Sequence, residues 1–376
     1  MTVPPPRIDP HPPRFARRPL PQAGEVLYVR RMPRIILTGD VNLMNVDAPD
    51  VPFAGVCAPL HAAEIVFSNL ECCLYDPPRS HAVENEGFFA SPQIGGEALR
   101  YAGIAAVGIA NNVNYGDAAI TASIARLDAL GIAHTGAGAN AAAARAPVIV
   151  ERHGIRYGFL QRSSVYWPTN HEAGANSTGI AVIRAHTAYQ VPMHKTRPEI
   201  PPMNRPGIPP VIITWADPDY LSAFTDDIAA LRTQADIVVA SCHWGLHKEV
   251  LAYMREIGHA AIDAGADLVI GHGPHYSLPV EVYHRKAIFY GLGSFSFHTG
   301  HGGRRHGDWI GMMVRATITD RTIARVSFQF FRHNERNETV LCHLADEAVE
   351  LADITTRSAA FGTRLLVRDD EVDIAM

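Results

Sequence analysis

The amino-acid sequence predicts a layered α/β fold. Short apolar runs rich in β-branched residues alternate with helical patterns along most of the chain, and Gly, Asn or charged residues bound each run. The 376 residues are 47% hydrophobic and only 19% charged, so the chain can bury one large core. We therefore expect an enzyme-sized globular domain with helices flanking its sheets.

The predicted elements follow one another as expected of buried strands joined by crossover helices. The strand runs are RIILTGDV, EIVFSNLE, IAAVGIANN, RYGFLQ, DIVVASCHW, ADLVIGHG and AIFYGLGSFSF. Helical patterns cover residues 117–130, 226–234, 250–264 and 345–364. Residues 310–333 alternate apolar and polar side chains, which predicts an antiparallel pair of strands.

Two segments depart from this pattern. Residues 1–32 are rich in Pro and Arg and lack a long apolar run, so we expect a flexible arm ahead of a single catalytic domain over residues 33–370. Residues 186–217 form a Pro-rich insertion whose prolines exclude a helix. This insertion is either a linker or a functional lid or arm that docks a peptide.

Composition excludes several classes of protein. The formal net charge of -5 leaves no basic excess, which argues against a nucleic-acid partner. The sequence lacks both a signal-peptide core and the roughly 18 uninterrupted apolar residues of a membrane helix, so a cytoplasmic protein with no membrane partner is expected. The five cysteines have no CxxC spacing, and we expect reduced thiols.

Polar clusters at the ends of five predicted strands carry the chemical signal. Because the carboxyl ends of neighbouring strands share one edge of a sheet, these clusters should meet at one rim. Carboxylate, amide and imidazole groups together suit divalent cations, and a bridging carboxylate with several His and Asn ligands is typical of two-metal sites. The clusters are Gly39-Asp40, Asn69-Leu70-Glu71, Asn111-Asn112, His243-Trp244-Gly245 and Gly271-His272-Gly273-Pro274-His275.

Each cluster also has a purely structural interpretation. Asp40 and Glu71 could cap turns after their strands, and Asn111-Asn112 is a good turn by itself. The histidines could be helix caps or hydrogen-bonded core residues. The metal hypothesis depends on all five clusters occurring together.

The order GDV, NLE, ANN, HWG, GADLVIGHGPH and LGSF resembles the CapA, or poly-γ-glutamate capsule-synthesis, family over residues 34–298. That family is related in fold to the calcineurin-like metallophosphoesterases, whose α/β/β/α sandwich holds a dinuclear metal centre. The resemblance implies that Asp40 is a bridging ligand and Glu71 a carboxylate ligand. It also implies that Asn112, His243, His272 and His275 complete the set.

The sequence departs from the family at positions that handle protons. The third cluster of the family usually reads ANNH, but Val113 takes the place of the histidine and cannot protonate a leaving oxygen. His247 replaces a glutamate after HWG, and Ser294 replaces the asparagine of LGNF. His298 then follows in a glycine-rich loop. These changes predict a retained metal centre with altered acid–base chemistry.

The expected function is therefore metal-dependent acid–base catalysis on a peptide. The resemblance includes the peptide epimerases of lasso-peptide biosynthesis, which predicts inversion of the Cα of the carboxyl-terminal residue of a precursor peptide. His247 and His298 are candidate base and acid, and Glu71 could substitute for either. The alternatives are a hydrolase of a phosphate ester or γ-glutamyl polymer in capsule synthesis, and a scaffold that only binds.

The expected cofactors are two divalent ions, with no organic cofactor, because GAGANA at residues 136–141 only half resembles a dinucleotide fingerprint. Mixed nitrogen and oxygen ligands do not distinguish Mn, Zn, Fe, Mg and Ca. The sequence leaves the oligomeric state open.

Overall fold

The structure is a computed structural model that describes residues 32–77, 88–114, 116–167, 171–190, 211–245, 247–297 and 309–376. The α-helices are α1 Cys57–His61, α2 Pro92–Tyr101, α3 Asp117–Leu130, α4 Ala141–Arg145, α5 Pro218–Arg232, α6 Ala252–Asp263 and α7 Ala348–Ala359. A 3-10 helix, Leu344–Glu347, precedes α7.

The strands of the first half of the chain are β1 Arg34–Asn42, β2 Ile65–Leu70, β3 Cys73–Leu74, β4 Phe89–Ala90, β5 Ala106–Gly108, β6 Ala133–Thr135, β7 Ala137–Gly138, β8 Val148–Arg152, β9 Ile155–Ser163, β10 Gly179–Ile180 and β11 Ala185–Gln190. Those of the second half are β12 Val211–Ala216, β13 Ile237–His243, β14 Leu268–His272, β15 Val280–Tyr283, β16 Lys286–Phe289, β17 Ser294–Phe297, β18 Gly311–Thr319, β19 Thr322–His333, β20 Thr339–Leu341, β21 Leu365–Arg368 and β22 Glu371–Ile374.

Within the described residues, two large sheets form the centre of the fold. Sheet 1 has ten strands in the order β21-β22-β19-β18-β1-β2-β5-β6, with β17 pairing β1 and β20 pairing β19. Sheet 2 has six strands in the order β15-β16-β14-β13-β9-β8. The pairs β1–β2, β2–β5, β9–β13 and β13–β14 are parallel, so their carboxyl ends lie at the same edges. The predicted antiparallel pair is β18–β19.

The apolar side chains form three layers, one between the two sheets and one on the outer face of each sheet. Ile35 and Leu37 of sheet 1 lie in one core cluster with Ile237 and Val239 of sheet 2. Because successive side chains of a strand point to opposite faces, Ile36 instead joins the cluster on the outer face of sheet 1. The two sheets therefore pack face to face through one shared apolar layer.

Helices cover the outer faces of both sheets. Leu99 of α2 and Leu127 of α3 pack in the outer cluster of sheet 1. Ile228 of α5 and Ile257 of α6 pack in the outer cluster of sheet 2. The order of layers is helix, sheet, sheet, helix, which confirms the predicted α/β/β/α sandwich.

The beginning of α5 differs from its predicted position. The apolar pattern placed this helix at residues 226–234, but it begins at Pro218. The Asp217 side chain accepts hydrogen bonds from the backbone N–H groups of Asp219 and Tyr220, and Pro218 supplies a preset first helical φ. An N-cap followed by proline is thus the signal that periodicity missed.

The Pro-rich insertion begins and ends in extended chain. Strands β11 and β12 pair antiparallel from Ala185↔Ala216 to Gln190↔Val211. Residues 191–210 lie outside the described part of the chain. The arm over residues 1–32 lies almost wholly outside it too, so the predicted domain boundaries stay a prediction.

The five cysteines all lie in the described part of the chain and are free thiols. Across the described residues, each helix is too short or too polar to span a bilayer.

The layer between the sheets contains one closely stacked aromatic pair. The rings of Phe67 on β2 and Phe159 on β9 lie 4.8 Å apart between centroids, with 6° between their planes. Both side chains are fully buried. This pair contributes apolar contacts from both sheets to the core cluster between them.

We predict that Phe159→Ala lowers the free energy of unfolding by about 3–5 kcal/mol, because it removes one ring and leaves a cavity between the sheets. Urea denaturation followed by circular dichroism measures this loss. Val349→Ala on α7 is the control, because Val349 is 78% exposed and its truncation should change stability by less than about 0.5 kcal/mol. Equal effects of the two substitutions would contradict the packing described here.

Candidate metal centre

The carboxylate of Asp40 is the best connected group of the site. Its Oδ1 accepts a hydrogen bond from Asn69 Nδ2 at 2.8 Å and lies 3.3 Å from His272 Nδ1. Its Oδ2 lies 3.4 Å from His275 Nδ1 and accepts from the backbone N–H of Gly273 at 3.4 Å. The structure therefore brings Asp40, His272 and His275 together, as the sequence predicted.

Close backbone packing fixes the position of Asp40. Its N–H donates to the carbonyl of Gly293 at 2.9 Å. A Cβ at the preceding Gly39 would come within 1.8 Å of that same carbonyl oxygen. Glycine is thus required at residue 39 for β1 to approach the chain at Gly293.

Glu71 follows β2 and faces the same space. Its Oε1 lies 3.6 Å from His243 Nε2 and 3.9 Å from His275 Nε2. His275 therefore reaches both carboxylates, with Nδ1 towards Asp40 and Nε2 towards Glu71. Asp40, Glu71 and His275 each offer one ligand atom, and these atoms lie within 4.8 Å of one another.

The histidines come from the carboxyl ends of two neighbouring strands of sheet 2. His243 is the last residue of β13, and His272 is the last residue of β14. His275 lies in the loop after β14 and has a left-handed backbone with φ 65°. This conformation is uncommon for a residue with a Cβ, and such strain clusters at functional sites.

The two carboxylates are shifted in opposite directions. Burial alone raises the pKa of Asp40, but hydrogen bonds and charge from His272 and His275 hold that pKa well below its usual value. Burial raises the pKa of Glu71 well above its usual value, and the charge of Asp40 adds to the increase. Two buried carboxylates this close resist being ionised together unless positive charge joins them.

The imidazoles respond to the same surroundings. Burial lowers the pKa of His243 to about 4, although Asp40 opposes the shift. Burial also lowers the pKa of His272, against the effect of Asp40. Burial by itself lowers the pKa of His275, but Glu71 and Asp40 have the larger combined effect, so this pKa is raised. The lowered pKa of both His243 and His272 favours the neutral imidazole, which is the form that binds a metal ion.

Several buried polar atoms of the site fit a metal ion. A buried polar atom without a partner costs free energy, and native structures contain few of them. Several of those found among the described residues lie at this site, and they are carboxylate oxygen and imidazole nitrogen atoms, the donors that divalent cations bind. At this site the buried atoms without a hydrogen bond to any described residue include Glu71 Oε1 and Oε2, His243 Nε2 and His272 Nε2.

Sequence reasoning missed the amides that support Asp40. Asn69 was treated only as part of the cluster containing Glu71, but its side chain donates to Asp40. Asn111 donates to Asn69 Oδ1 at 3.1 Å and to the carbonyl of Leu70 at 2.9 Å. Asn111 and Asn69 are both fully buried. A strand-end Asn is an ambiguous signal because it also favours turns, so only the contacts assign these roles.

Four other predicted positions have different surroundings. Asn112 is half-buried beside Asn111, and its role as a ligand stays a prediction. Val113 is buried in the outer cluster of sheet 1. His247 is exposed in the loop after β13, with a left-handed φ of 52°. His298 lies outside the described residues, so its predicted role as acid or base stays a prediction too.

Comparison with known proteins identifies the family. Residues 20–299 match the family described as bacterial capsule synthesis protein PGA_cap, and this match covers well over half of the chain. The chain belongs to that family. The CapA-like resemblance of the strand-end motifs is thereby confirmed.

Curated relatives agree with membership of the PGA_cap family. The PGA biosynthesis protein CapA of Bacillus subtilis is 40% identical over 99 residues, which are 26% of this chain and 24% of that protein. Protein y4sH of Sinorhizobium fredii is 25% identical over 286 residues, 65% of this chain and 61% of that protein. The chain thus matches less than two thirds of the length of either relative.

Two further similarities concern one protein sequence and one solved structure. A probable polyglutamine synthesis accessory protein of Mycobacterium tuberculosis is 28% identical over 197 residues, 49% of this chain and 43% of that protein. A crystal structure described as a novel phosphatase of Mycoplasma pneumoniae covers 82% of this chain and 91% of that chain, with 11% identity and a TM-score of 0.38.

We predict that the purified protein binds a divalent cation and that Asp40→Asn weakens this binding by more than about 100-fold, because the amide lacks the negative charge that draws the cation. Calorimetric titration with Mn²⁺ measures the affinity. In the wild type, saturating Mn²⁺ should raise the melting temperature because it binds the native state.

The matched control is Glu281→Gln, which neutralises another buried carboxylate. Glu281 is 5% exposed and pairs with Arg255 and His259, not with the residues of the candidate centre. This substitution should lower stability but leave the Mn²⁺ affinity unchanged. Equal Mn²⁺ affinities for wild type and Asp40→Asn would show that the cleft is not a metal centre.

Proposed function

We propose that the protein is a metal-dependent hydrolase that cleaves a phosphate ester or a γ-glutamyl amide of an acidic polymer. The observation that carries this proposal is the meeting of Asp40, Glu71 and His275 around one space, with ligand atoms within 4.8 Å of one another. Membership of a capsule-synthesis family, and relatives named for PGA biosynthesis and polyglutamine synthesis, support the choice of substrate.

The residues of the site would contribute charge and nitrogen ligands for a cation, and most of them are buried. Asp40 and Glu71 would supply the negative charge that holds cations, and His243, His272 and His275 would supply imidazole nitrogens. If a divalent cation is held there, it would supply the positive charge that makes water more acidic and polarises the bond to be cleaved. Asp40, Glu71 and Asn69 are fully buried, so their side chains are kept away from bulk water.

Cleavage also requires a proton for the leaving oxygen or amine. Val113 cannot provide it, because its buried side chain is apolar. His247 is our candidate donor, since it is exposed in the loop that follows the ligand His243. His247→Gln should therefore slow hydrolysis of an alkyl phosphate by roughly 100-fold. Hydrolysis of p-nitrophenyl phosphate should slow far less, since its leaving group needs no proton.

We predict Mn²⁺-dependent release of phosphate from a phosphate ester or of amine from a γ-glutamyl oligomer. Asp40→Asn should reduce the rate by more than about 100-fold, and Glu281→Gln should retain it. Colorimetric phosphate and amine assays with and without a chelator measure both products. Hydrolysis that is unaffected by chelation would exclude the proposed role of the metal.

A second candidate, epimerisation of a peptide Cα, has one specific observation in its favour. Removing an α-proton requires no leaving group, so an apolar Val113 is tolerated where the family has histidine. Cations would stabilise the enediolate charge that develops on the carboxylate. The comparisons support hydrolysis more closely than this reaction, because they name capsule synthesis.

Isotope exchange separates the two candidates. During incubation with Mn²⁺ and a peptide in D₂O, an epimerase introduces one deuterium at a single Cα without cleaving the chain. Mass spectrometry should show no such exchange if the protein is a hydrolase. Exchange without release of phosphate or amine would favour epimerisation instead. The sequence also led us to expect a cytoplasmic location and a peptide partner. Both remain proposals, and both are part of the epimerase candidate.

A further inference from the structure

Gln161 extends from sheet 2 into the network that holds Asp40. It lies on β9, is fully buried, and pairs across the strands with Ser241. Its Nε2 donates to Asn69 Oδ1 at 3.0 Å and to Ser241 Oγ at 3.1 Å. Gln161 thus joins a side chain of sheet 1 to a side chain of sheet 2.

The direction of these hydrogen bonds is fixed by a backbone group. An amide side chain can exchange its oxygen and nitrogen ends, but a backbone N–H can only donate. The N–H of Ala110 donates to Gln161 Oε1 at 2.7 Å, which turns Nε2 towards Asn69. Asn69 must then accept through Oδ1, and its remaining Nδ2 points to Asp40.

The surrounding backbone leaves room for the Gln161 amide. A Cβ at Gly108 on β5 would lie 2.4 Å from Gln161 Cδ and Oε1. A Cβ at Gly136, which has a left-handed φ of 104°, would lie 3.2 Å from Oε1. Two glycines of separate segments therefore border the same side chain, and the chain accommodates a long polar residue where an apolar one would pack more simply.

We infer that Gln161 is a positioning residue for the metal centre: through Asn69 it presents the Asp40 carboxylate to the cation. This inference rests on the metal centre of the proposed function and adds a residue that touches neither cation nor substrate. Hydrogen-bonded groups behind a ligand orient it, and their loss typically weakens metal affinity by 10–100-fold. Asp40, held by Asn69 on one oxygen, directs the other towards His275.

The test is a double-mutant cycle on Mn²⁺ affinity, measured by calorimetric titration of the full chain. Gln161→Met keeps the length of the side chain but removes the donor, and it should weaken binding by about 10–100-fold. Asn69→Ala should weaken it by at least as much. Because Gln161 acts through Asn69, adding Gln161→Met to Asn69→Ala should weaken binding no further. Fold-changes that multiply would overturn the inference.

Gln161→Asn gives a second route if the methionine variant does not fold. It keeps an amide but withdraws it by one methylene, so it should weaken Mn²⁺ binding similarly. The matched control is Gln329→Met on β19, whose amide bonds Arg315 and the carbonyl of Cys342 and should leave the affinity unchanged.

The visible spectrum of bound Co²⁺ gives an independent measurement of ligand geometry. It should change in both Gln161 variants and not in the Gln329 control. Folded Gln161 variants with wild-type affinity and spectrum would overturn the inference alone. A wild type that binds no divalent cation would overturn the proposed function as well.

Discussion

Two carboxylates buried side by side are the constraint on which the rest of the site depends. Asp40 and Glu71 are both fully excluded from solvent, and the charge of Asp40 adds to the effect of burial in raising the pKa of Glu71. The chain offsets this cost at Asp40 with two imidazoles, one amide and one backbone N–H. It provides no hydrogen bond for the oxygens of Glu71 within the described residues. That imbalance is what a bound cation would correct.

The family relation concerns the residues that could bind a cation, whereas the departure at Val113 concerns the donation of a proton. Residues that fit a cation agree with the CapA-like motifs, and the match to a capsule-synthesis family places the protein among relatives named for polymer biosynthesis. Val113 departs from the family where a proton donor usually stands. The candidate cation ligands can therefore fit the family motifs while the proton donor differs, because different loops carry these groups.

Local signals explain which features the sequence predicted correctly. Helix α3 occupies the predicted residues 117–130, because Gly131 ends it in a left-handed conformation with φ 67°. The proximity of Asp40 to the histidines was predictable, because these residues lie near the carboxyl ends of their strands and such ends share one edge. Gln161 carried no such signal, since it lies inside a strand and its partners come from the other sheet. Contacts between distant segments cannot be read from periodicity.

The origin of the ligand candidates in both sheets has a mechanical consequence. Asp40 and Glu71 lie at the carboxyl ends of strands of sheet 1, whereas His243, His272 and His275 lie at the carboxyl ends of strands of sheet 2 or in the loop that follows. An ion bound by residues of both groups would cross-link the two sheets along one edge. The Phe67–Phe159 pair, by contrast, connects the sheets only by apolar contact. Sliding of one sheet over the other would then become harder wherever the ion is abundant and easier where it is scarce.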